Sequence, residues 1–97
     1  MKFEWDPEKN KINKIKHRVS FEEAETVFKD ENAVYLYDEQ HSADADEERF
    51  HIIGESADFR ELTVCHCYRG EHDEVIRIIS ARKATMTEID YYYESRF

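Results

Sequence analysis

The sequence predicts an α+β fold: an antiparallel sheet of four to five strands with a two-helix N-terminal hairpin on one face and a C-terminal helix. Helix-capping signals at Asp6, Ser20 and Thr85 mark three helix starts. Four strand-like segments follow one another between the last two signals, and short links between consecutive strands favour an antiparallel meander. With 97 residues and 13% aromatic content, the chain is expected to fold as a single domain over residues 1–97.

The N-terminal third is predicted to form one strand and two helices. Residues 2–6 alternate apolar and polar side chains, as in a short strand. The first helix should run to about His17, with Ile12 and Ile15 facing the core. A capping box that starts at Ser20 opens the second helix, and the short link between the helices makes them a hairpin.

The rest of the chain is predicted to form the meander and the last helix. Strands are expected over residues 33–37, 49–54, 61–68 and 74–81. Residues 38–48 are polar and acidic, and we expect an exposed loop with little regular structure there. A second capping box opens the final helix at Thr85. Its apolar stripe is expected to consist of Met86, Ile89, Tyr92, Tyr93 and Phe97.

The charge is strongly acidic and unevenly distributed. The net charge is -9, and residues 19–61 alone hold 14 acidic and three basic groups. The field of the whole molecule therefore repels nucleic acid at long range, although a local basic site still binds phosphate within a Debye length of about 8–10 Å. The acidic middle is also suited to a basic partner protein. The sequence has neither a bilayer-length apolar run nor a signal-peptide pattern, so we expect no membrane association and a cytoplasmic location.

Two cysteines, Cys65 and Cys67, form a C-x-C pair within an apolar stretch. On a strand they share one face, and a disulfide between them would strain it, so reduced thiols are expected. Together with the histidines they suggest zinc, but no second ligand pair shows the usual spacing, and His66 points to the opposite face. The prediction is therefore no metal and no cofactor.

Several segments resemble the BrnT family of bacterial toxins: FEWDPEKNKINKIKH, VSFEEAETVF, RFHIIGES and RIISARKATMTEIDYYYE. The resemblance covers essentially the whole chain, and Arg77 to Thr85 is its most specific part. It implies a RelE-like fold and a ribonuclease toxin of a type II toxin–antitoxin system, which cleaves RNA without a metal and blocks translation. The implied partner is a BrnA-type antitoxin, through which alone the toxin would meet operator DNA.

The sequence departs from the family pattern at two places. Arg18 stands where the family usually has Gly, a residue that would end the first helix in a left-handed conformation. Asp58-Phe59-Arg60 replaces the more usual Gly-Arg. The second departure weakens any transfer of a functional role to Arg60.

The resemblance also implies the catalytic residues. Arg77, Arg82 and Arg49 are predicted to hold the phosphate, because a guanidinium fork binds two phosphate oxygens and stays charged. His51 is the predicted proton-transfer residue. Strand alternation puts Arg77 and Arg82 on opposite faces, so this assignment requires a β-bulge or strand end near Ala81.

Further RNA contacts are predicted at Lys83, Lys16 and His17, which would follow the phosphate backbone. Purely structural alternatives remain open for several of these residues. The lysine-rich first helix is better explained as a solvated face than as an RNA-binding strip. Arg77 could be the partner of a carboxylate on a neighbouring strand, although the resemblance favours the catalytic role. His51 is equally explained as a histidine at the rim of the sheet. His66 is better explained as a half-buried histidine with satisfied hydrogen bonds than as a catalytic group.

At the level of the whole protein, the alternative to an enzyme is a non-catalytic binding module with the toxin fold. Such a module would act through antitoxin binding and operon autorepression. The net charge of -9 favours this alternative, whereas the set of arginines favours the enzyme.

Overall fold

A computed structural model of the chain, which describes residues 1–43 and 47–96, contains one five-stranded mixed sheet. The strands are β1 (Lys2–Glu4), β2 (Val34–Tyr37), β3 (Phe50–Glu55), β4 (Glu61–Arg69) and β5 (Val75–Lys83). The helices are α1 (Pro7–His17), α2 (Phe21–Thr26), α3 (Glu39–Ala43) and α4 (Met86–Glu94), and a 3₁₀ turn (Val27–Lys29) follows α2. None of the helices in the described ranges is long and apolar enough to cross a membrane.

The sheet has the order β1-β5-β4-β3-β2. Strands β2 to β5 form the predicted antiparallel meander. The prediction of a wholly antiparallel sheet was wrong at β1, which runs parallel to β5 with Phe3 opposite Ile76. Strand direction depends on which distant strand becomes the neighbour, and here the first strand pairs with the last.

The inner face of α1 is polar, so the prediction that Ile12 and Ile15 face the core was wrong. These two side chains are 58% and 84% exposed, whereas Asn10 and Asn13 are buried. The Asn13 amide donates to the Ala81 carbonyl over 2.8 Å and accepts from the Ala81 N–H over 3.1 Å. Because β1 pairs only with the first residues of β5, the outer edge at Ala81 has no strand beside it, and Asn13 supplies both partners instead.

The main core lies between the sheet and helices α1 and α2. Its buried apolar residues are Val19, Phe21, Ala24, Val27, Ile52, Leu62, Val64, Ile78 and Ala81. The predicted caps are present at Asp6 and Ser20, which accept backbone N–H groups, and at Thr85, which forms a reciprocal capping box with Glu88. The capping box predicted at Ser20 was wrong in its second half, because the Glu23 carboxylate binds Arg60 and Ser56 instead. Arg18 adopts the left-handed conformation at the end of α1, with φ 57°.

Helix α4 buries less than its sequence suggests. Tyr92 is buried, but Met86 is 71% exposed and Tyr93 is also exposed, so the predicted stripe is only partly an inner face. Phe97 lies outside the described residues. The Tyr92 hydroxyl donates to Asp30 over 2.5 Å and ties the helix to the segment before β2.

The acidic segment after β2 is more ordered than predicted. Residues 39–43 form the short helix α3, so the expectation of little regular structure was wrong there. The helix begins after Asp38, whose carboxylate accepts the His41 backbone N–H over 3.1 Å. Residues 44–46 of this segment lie outside the described part of the chain.

Candidate active site

A β-bulge interrupts β5 in its middle. Cys65 of β4 pairs with Ser80, but the next residue, His66, pairs with Ile78, so that Ile79 is an extra residue in β5. The side-chain alternation of β5 is therefore shifted by one residue on either side of Ile79.

Because of this shift, Arg77 and Arg82 lie on the same face of the sheet. Arg77 is opposite Cys67 and Arg82 is opposite Thr63, and these two β4 residues are four apart. Four residues of a strand correspond to about 13 Å between the two arginine positions. The bulge that the sequence-based assignment required is thus present, two residues before Ala81.

This surface, which we call the arginine face, is the side of the sheet opposite α1 and α2. Its middle row contains Ser80, Cys65 and His51, which lie side by side on β5, β4 and β3. His51 is therefore located between the levels of the two arginines, two strands away from β5. Helix α4 covers one end of the face, where the Thr63 hydroxyl donates to Glu88 over 2.9 Å.

Arg82 is held by Glu88 through two hydrogen bonds of 2.7 Å and 3.0 Å. Burial disfavours the ionised Glu88, but hydrogen bonds from Arg82, Thr85 and Thr63 outweigh it and lower the pKa of Glu88 to about 2. The same pair of bonds raises the pKa of Arg82. Both groups are therefore charged at neutral pH, and the guanidinium is fixed in orientation.

Arg77 forms an ion pair with Glu4 of β1, over 2.6 Å. Glu4 is directly opposite Arg77 in the parallel pairing of β1 and β5. This contact is the neighbouring-strand carboxylate that the structural alternative for Arg77 anticipated. Both side chains are partly exposed, so the pair is open to exchange with another anion.

The buried Nε donor of Arg49 has no acceptor among the described residues. Its Nε atom is the one buried side-chain nitrogen or oxygen in the described ranges that has no hydrogen-bond partner. The backbone of Arg49 is fixed: its N–H donates to the Ser42 hydroxyl over 2.8 Å, and its carbonyl accepts the Asp38 N–H over 2.9 Å. A buried donor left unsatisfied costs about 1–3 kcal/mol, so this position favours an incoming acceptor.

His51 is paired with Asp38, a residue that the sequence analysis did not single out. The His51 Nε2 atom lies 3.0 Å from Asp38 Oδ2, and His41 Nδ1 lies 2.8 Å from the same oxygen. Burial opposes ionisation of Asp38, but its hydrogen bonds to the backbone and side chain of His41 outweigh burial and lower its pKa. The only sequence signal was an Asp directly after a predicted strand, where it caps the next helix.

Cys65 lies beside His51 and near Asp38. One donor atom from each of these three residues lies within 4.8 Å of the other two. Burial raises the pKa of the Cys65 thiol to about 11, so the free thiol is neutral at physiological pH.

The three predicted RNA-binding residues are not brought together with the arginines. Lys83 is opposite Leu62, a core residue, and so lies at the end of the helix-covered face. Lys16 and His17 end α1, which packs on that same side of the sheet.

His66 and Arg60 have structural partners. His66 is fully buried with its ring against Phe28, and burial lowers its pKa to about 4, as suits a histidine that remains neutral. Arg60 forms an ion pair with Glu23 and also donates to the Arg18 carbonyl, over 3.1 Å. These contacts account for both side chains without a catalytic role.

The chain is similar in sequence and in structure to known proteins. Residues 5–88 match the model of a family described as the ribonuclease toxin BrnT of type II toxin–antitoxin systems. The crystal structure of the Brucella abortus ribonuclease toxin BrnT is similar, with a TM-score of 0.66 and 25% sequence identity over 89% of this chain and 99% of that one. No curated protein matches the chain in sequence.

Proposed function

Because the chain belongs to the BrnT family of ribonuclease toxins of type II toxin–antitoxin systems, we propose that it cleaves RNA on the arginine face. In this proposal Arg77, Arg82 and Arg49 bind and neutralise the scissile phosphate, and His51 transfers the proton. Cleavage blocks translation until an antitoxin neutralises the protein.

The proposed reaction follows RelE-like chemistry and needs no metal. The 2′-hydroxyl of the RNA attacks the adjacent phosphorus while the bond to the 5′-oxygen of the next nucleotide breaks. Negative charge grows on the phosphoryl oxygens, where guanidinium groups stabilise it. A histidine accepts the proton from the attacking hydroxyl, and a water molecule donates a proton to the leaving 5′-oxygen.

The observation that carries this proposal is the buried Nε of Arg49, which has no hydrogen-bond partner among the described residues. Arg49 precedes His51 by two residues and so shares with it the face that also presents Arg77 and Arg82. A phosphate oxygen is the kind of acceptor that such a donor lacks. Arg82 also retains donors, because its hydrogen bonds to Glu88 and to the Lys83 carbonyl use three of the five N–H bonds of a guanidinium. Holding Arg82 in place beforehand reduces the reorganisation needed when charge develops.

The partner proposed for this toxin is a BrnA-type antitoxin, and the pair would act in the cytoplasm and reach operator DNA through the antitoxin. RNA contacts at Lys83, Lys16 and His17 remain part of the proposal. Because these residues lie on the helix-covered side, an RNA strand would have to pass around the sheet edge to reach them.

A second candidate function is the non-catalytic binding module. Two observations favour it: Arg77 and Arg82 already have carboxylate partners, and the net charge of -9 opposes RNA binding. Such a protein would keep the fold and the antitoxin while lacking cleavage.

Induced expression in a bacterium, with and without the adjacent antitoxin gene, separates the two functions. The enzyme predicts growth arrest that the antitoxin relieves, together with cleaved cellular RNA. The binding module predicts normal growth and intact RNA in both cultures, with the antitoxin still recovered in a pull-down.

A further inference from the structure

We propose that Asp38, His51 and Cys65 form a binding site for a divalent transition metal of the zinc type, which sequence spacing alone does not predict. One donor atom from each residue lies within 4.8 Å of the others. The site shares His51 with the proposed cleavage site, but metal binding is measured without RNA and is therefore tested separately from cleavage.

The donors match the preference of zinc. Carboxylate oxygen, imidazole nitrogen and thiolate sulfur are its usual protein ligands, and three of them leave a fourth position for water. The three side chains come from separate elements: Asp38 follows β2, His51 lies on β3 and Cys65 lies directly opposite His51 on β4. A rigid sheet therefore fixes two of the ligands, and the hydrogen bond from the Asp38 N–H to Arg49 fixes the third.

The distance between the His51 and Asp38 ligand atoms requires little rearrangement. The Nε2 of His51 and Oδ2 of Asp38 are 3.0 Å apart, close to hydrogen-bond contact. Two such ligands around a tetrahedral zinc ion, each about 2.0–2.1 Å from the metal, lie about 3.4 Å apart. An opening of a few tenths of an ångström at this pair would admit the ion in place of the shared proton.

His41 holds the Asp38 carboxylate in place. His41 Nδ1 contacts the same Asp38 oxygen at 2.8 Å, and the His41 backbone N–H binds the other oxygen. Hydrogen bonds of this kind orient a ligating carboxylate. Their removal usually lowers metal affinity by about 10–100-fold. Asp38 and a Cys65 thiolate together provide two negative charges, which balance a divalent cation beside the positive Arg49.

The spacing of these ligands explains why sequence analysis missed the site. Cys65 was considered with Cys67, which lies two residues on along the same strand and pairs with Arg77. His51 and Cys65 are 14 residues apart and meet only through the pairing of β3 with β4.

Titration of the purified, reduced protein with Co²⁺, followed by absorbance, tests the site directly. Cobalt(II) bound by a thiolate gives a sulfur-to-metal charge-transfer band in the near ultraviolet, and tetrahedral coordination gives intense visible bands. We expect one Co²⁺ per chain with both signals, displaced by one equivalent of Zn²⁺.

Variants assign the ligands. Cys65→Ser should abolish the charge-transfer band, whereas the matched Cys67→Ser should retain it. His51→Ala and Asp38→Asn should each weaken Co²⁺ binding at least tenfold, and His72→Ala, which removes an exposed histidine from the β4–β5 turn, should leave it unchanged. Circular dichroism checks that each variant is folded.

Absence of the charge-transfer band in the wild-type protein at a tenfold excess of Co²⁺ would overturn the proposal, as would its persistence in folded Cys65→Ser. Neither absorbance result decides whether the protein cleaves RNA, and failure to cleave RNA leaves the absorbance test valid. Because a bound ion occupies the His51 nitrogen that faces Asp38, a protein that does cleave RNA should be inhibited by stoichiometric Zn²⁺ and recover on chelation.

Discussion

The guanidinium of Arg82 donates to both carboxylate oxygens of Glu88, over 2.7 Å and 3.0 Å. Glu88 is also the capping-box residue of α4, and it accepts the Thr85 N–H and the Thr63 hydroxyl. One carboxylate thus joins the start of α4 to two strands of the sheet. The arginine proposed to bind phosphate is consequently positioned by the C-terminal helix.

Glu88→Gln should lower the free energy of unfolding by about 1–3 kcal/mol at pH 7, because it removes a largely buried charge-assisted contact. The folded-state pKa of Glu88, about 2, lies below its ordinary value of 4.5. Its stabilisation is therefore complete above about pH 5 and is lost as the pH falls toward 2.

Urea unfolding of wild-type and variant proteins at several values from pH 7 to pH 3 measures this effect. The difference between them should shrink as the pH falls. Glu94→Gln, at the exposed end of α4, is the matched control and should change stability by less than about 0.5 kcal/mol. A constant difference across this pH range would argue against the assigned role of Glu88.

Asn13→Leu should destabilise the protein by about 2–4 kcal/mol, although it makes α1 more apolar. It leaves the N–H and carbonyl of Ala81 without partners at a buried edge of β5. Ile12→Asn, on the exposed side of the same helix, should change stability by less than about 1 kcal/mol. Chemical denaturation gives both values, and a larger loss for Ile12→Asn would show that α1 packs differently.

Arg18→Gly should stabilise the protein by about 0.5–1 kcal/mol. Arg18 has φ 57° at the end of α1, a conformation that glycine adopts without steric cost. Arg18→Ala removes the same side chain but keeps the Cβ atom, and it should give no comparable gain. Thermal unfolding of the wild-type protein and the two variants measures the gain as a rise in melting temperature. Equal melting temperatures for the Gly and Ala variants would exclude relief of backbone strain as the cause of any gain.

Arg49→Ala should reduce RNA cleavage by about 10²–10³-fold, the usual effect of losing one donor to a charged transition state. Stability should fall little, because the buried Nε of Arg49 has no hydrogen bond to lose within residues 1–43 and 47–96. Arg96→Ala, at an exposed position two residues after the end of α4, is the matched control and should retain full activity. Parallel measurements of cleavage and unfolding separate the two effects; an active, stable Arg49→Ala protein would remove Arg49 from the site.

Features encoded locally were predictable from the sequence. The caps at Asp6, Ser20 and Thr85 lie where predicted, because a capping side chain binds backbone groups two or three residues away. Local chemistry fixes such features before any tertiary contact forms. The left-handed conformation of Arg18 was not predicted, because the replacement of the usual Gly by Arg left the conformation of this helix end open.

Features that depend on distant partners were not predictable. The parallel direction of β1 follows from its pairing with β5. The burial of Asn13 follows from the edge of β5 at Ala81, which pairs with Asn13 and not with a strand. The pattern of apolar residues could indicate neither the direction of β1 nor the burial of Asn13, since such a pattern is interpreted on the assumption that residues facing the core are apolar. Asp38 was missed for a similar reason: its importance comes from contact with His51, 13 residues later in the chain.

The shared face of Arg77 and Arg82 is an intermediate case. The need for a bulge could be deduced from strand alternation, but its position at Ile79 depends on the register between β4 and β5. The roles of these arginines, of Arg49 and of His51 remain predictions that only activity measurements test.

Cleavage of a labelled RNA by purified wild-type and Arg82→Ala proteins, in the presence of a metal chelator, tests the central claim most directly. The account predicts that the wild-type protein cleaves RNA under these conditions and that Arg82→Ala, folded and still binding the antitoxin in a pull-down, is slower by about 10²–10³-fold. A folded Arg82→Ala protein that cleaves at the wild-type rate would contradict it.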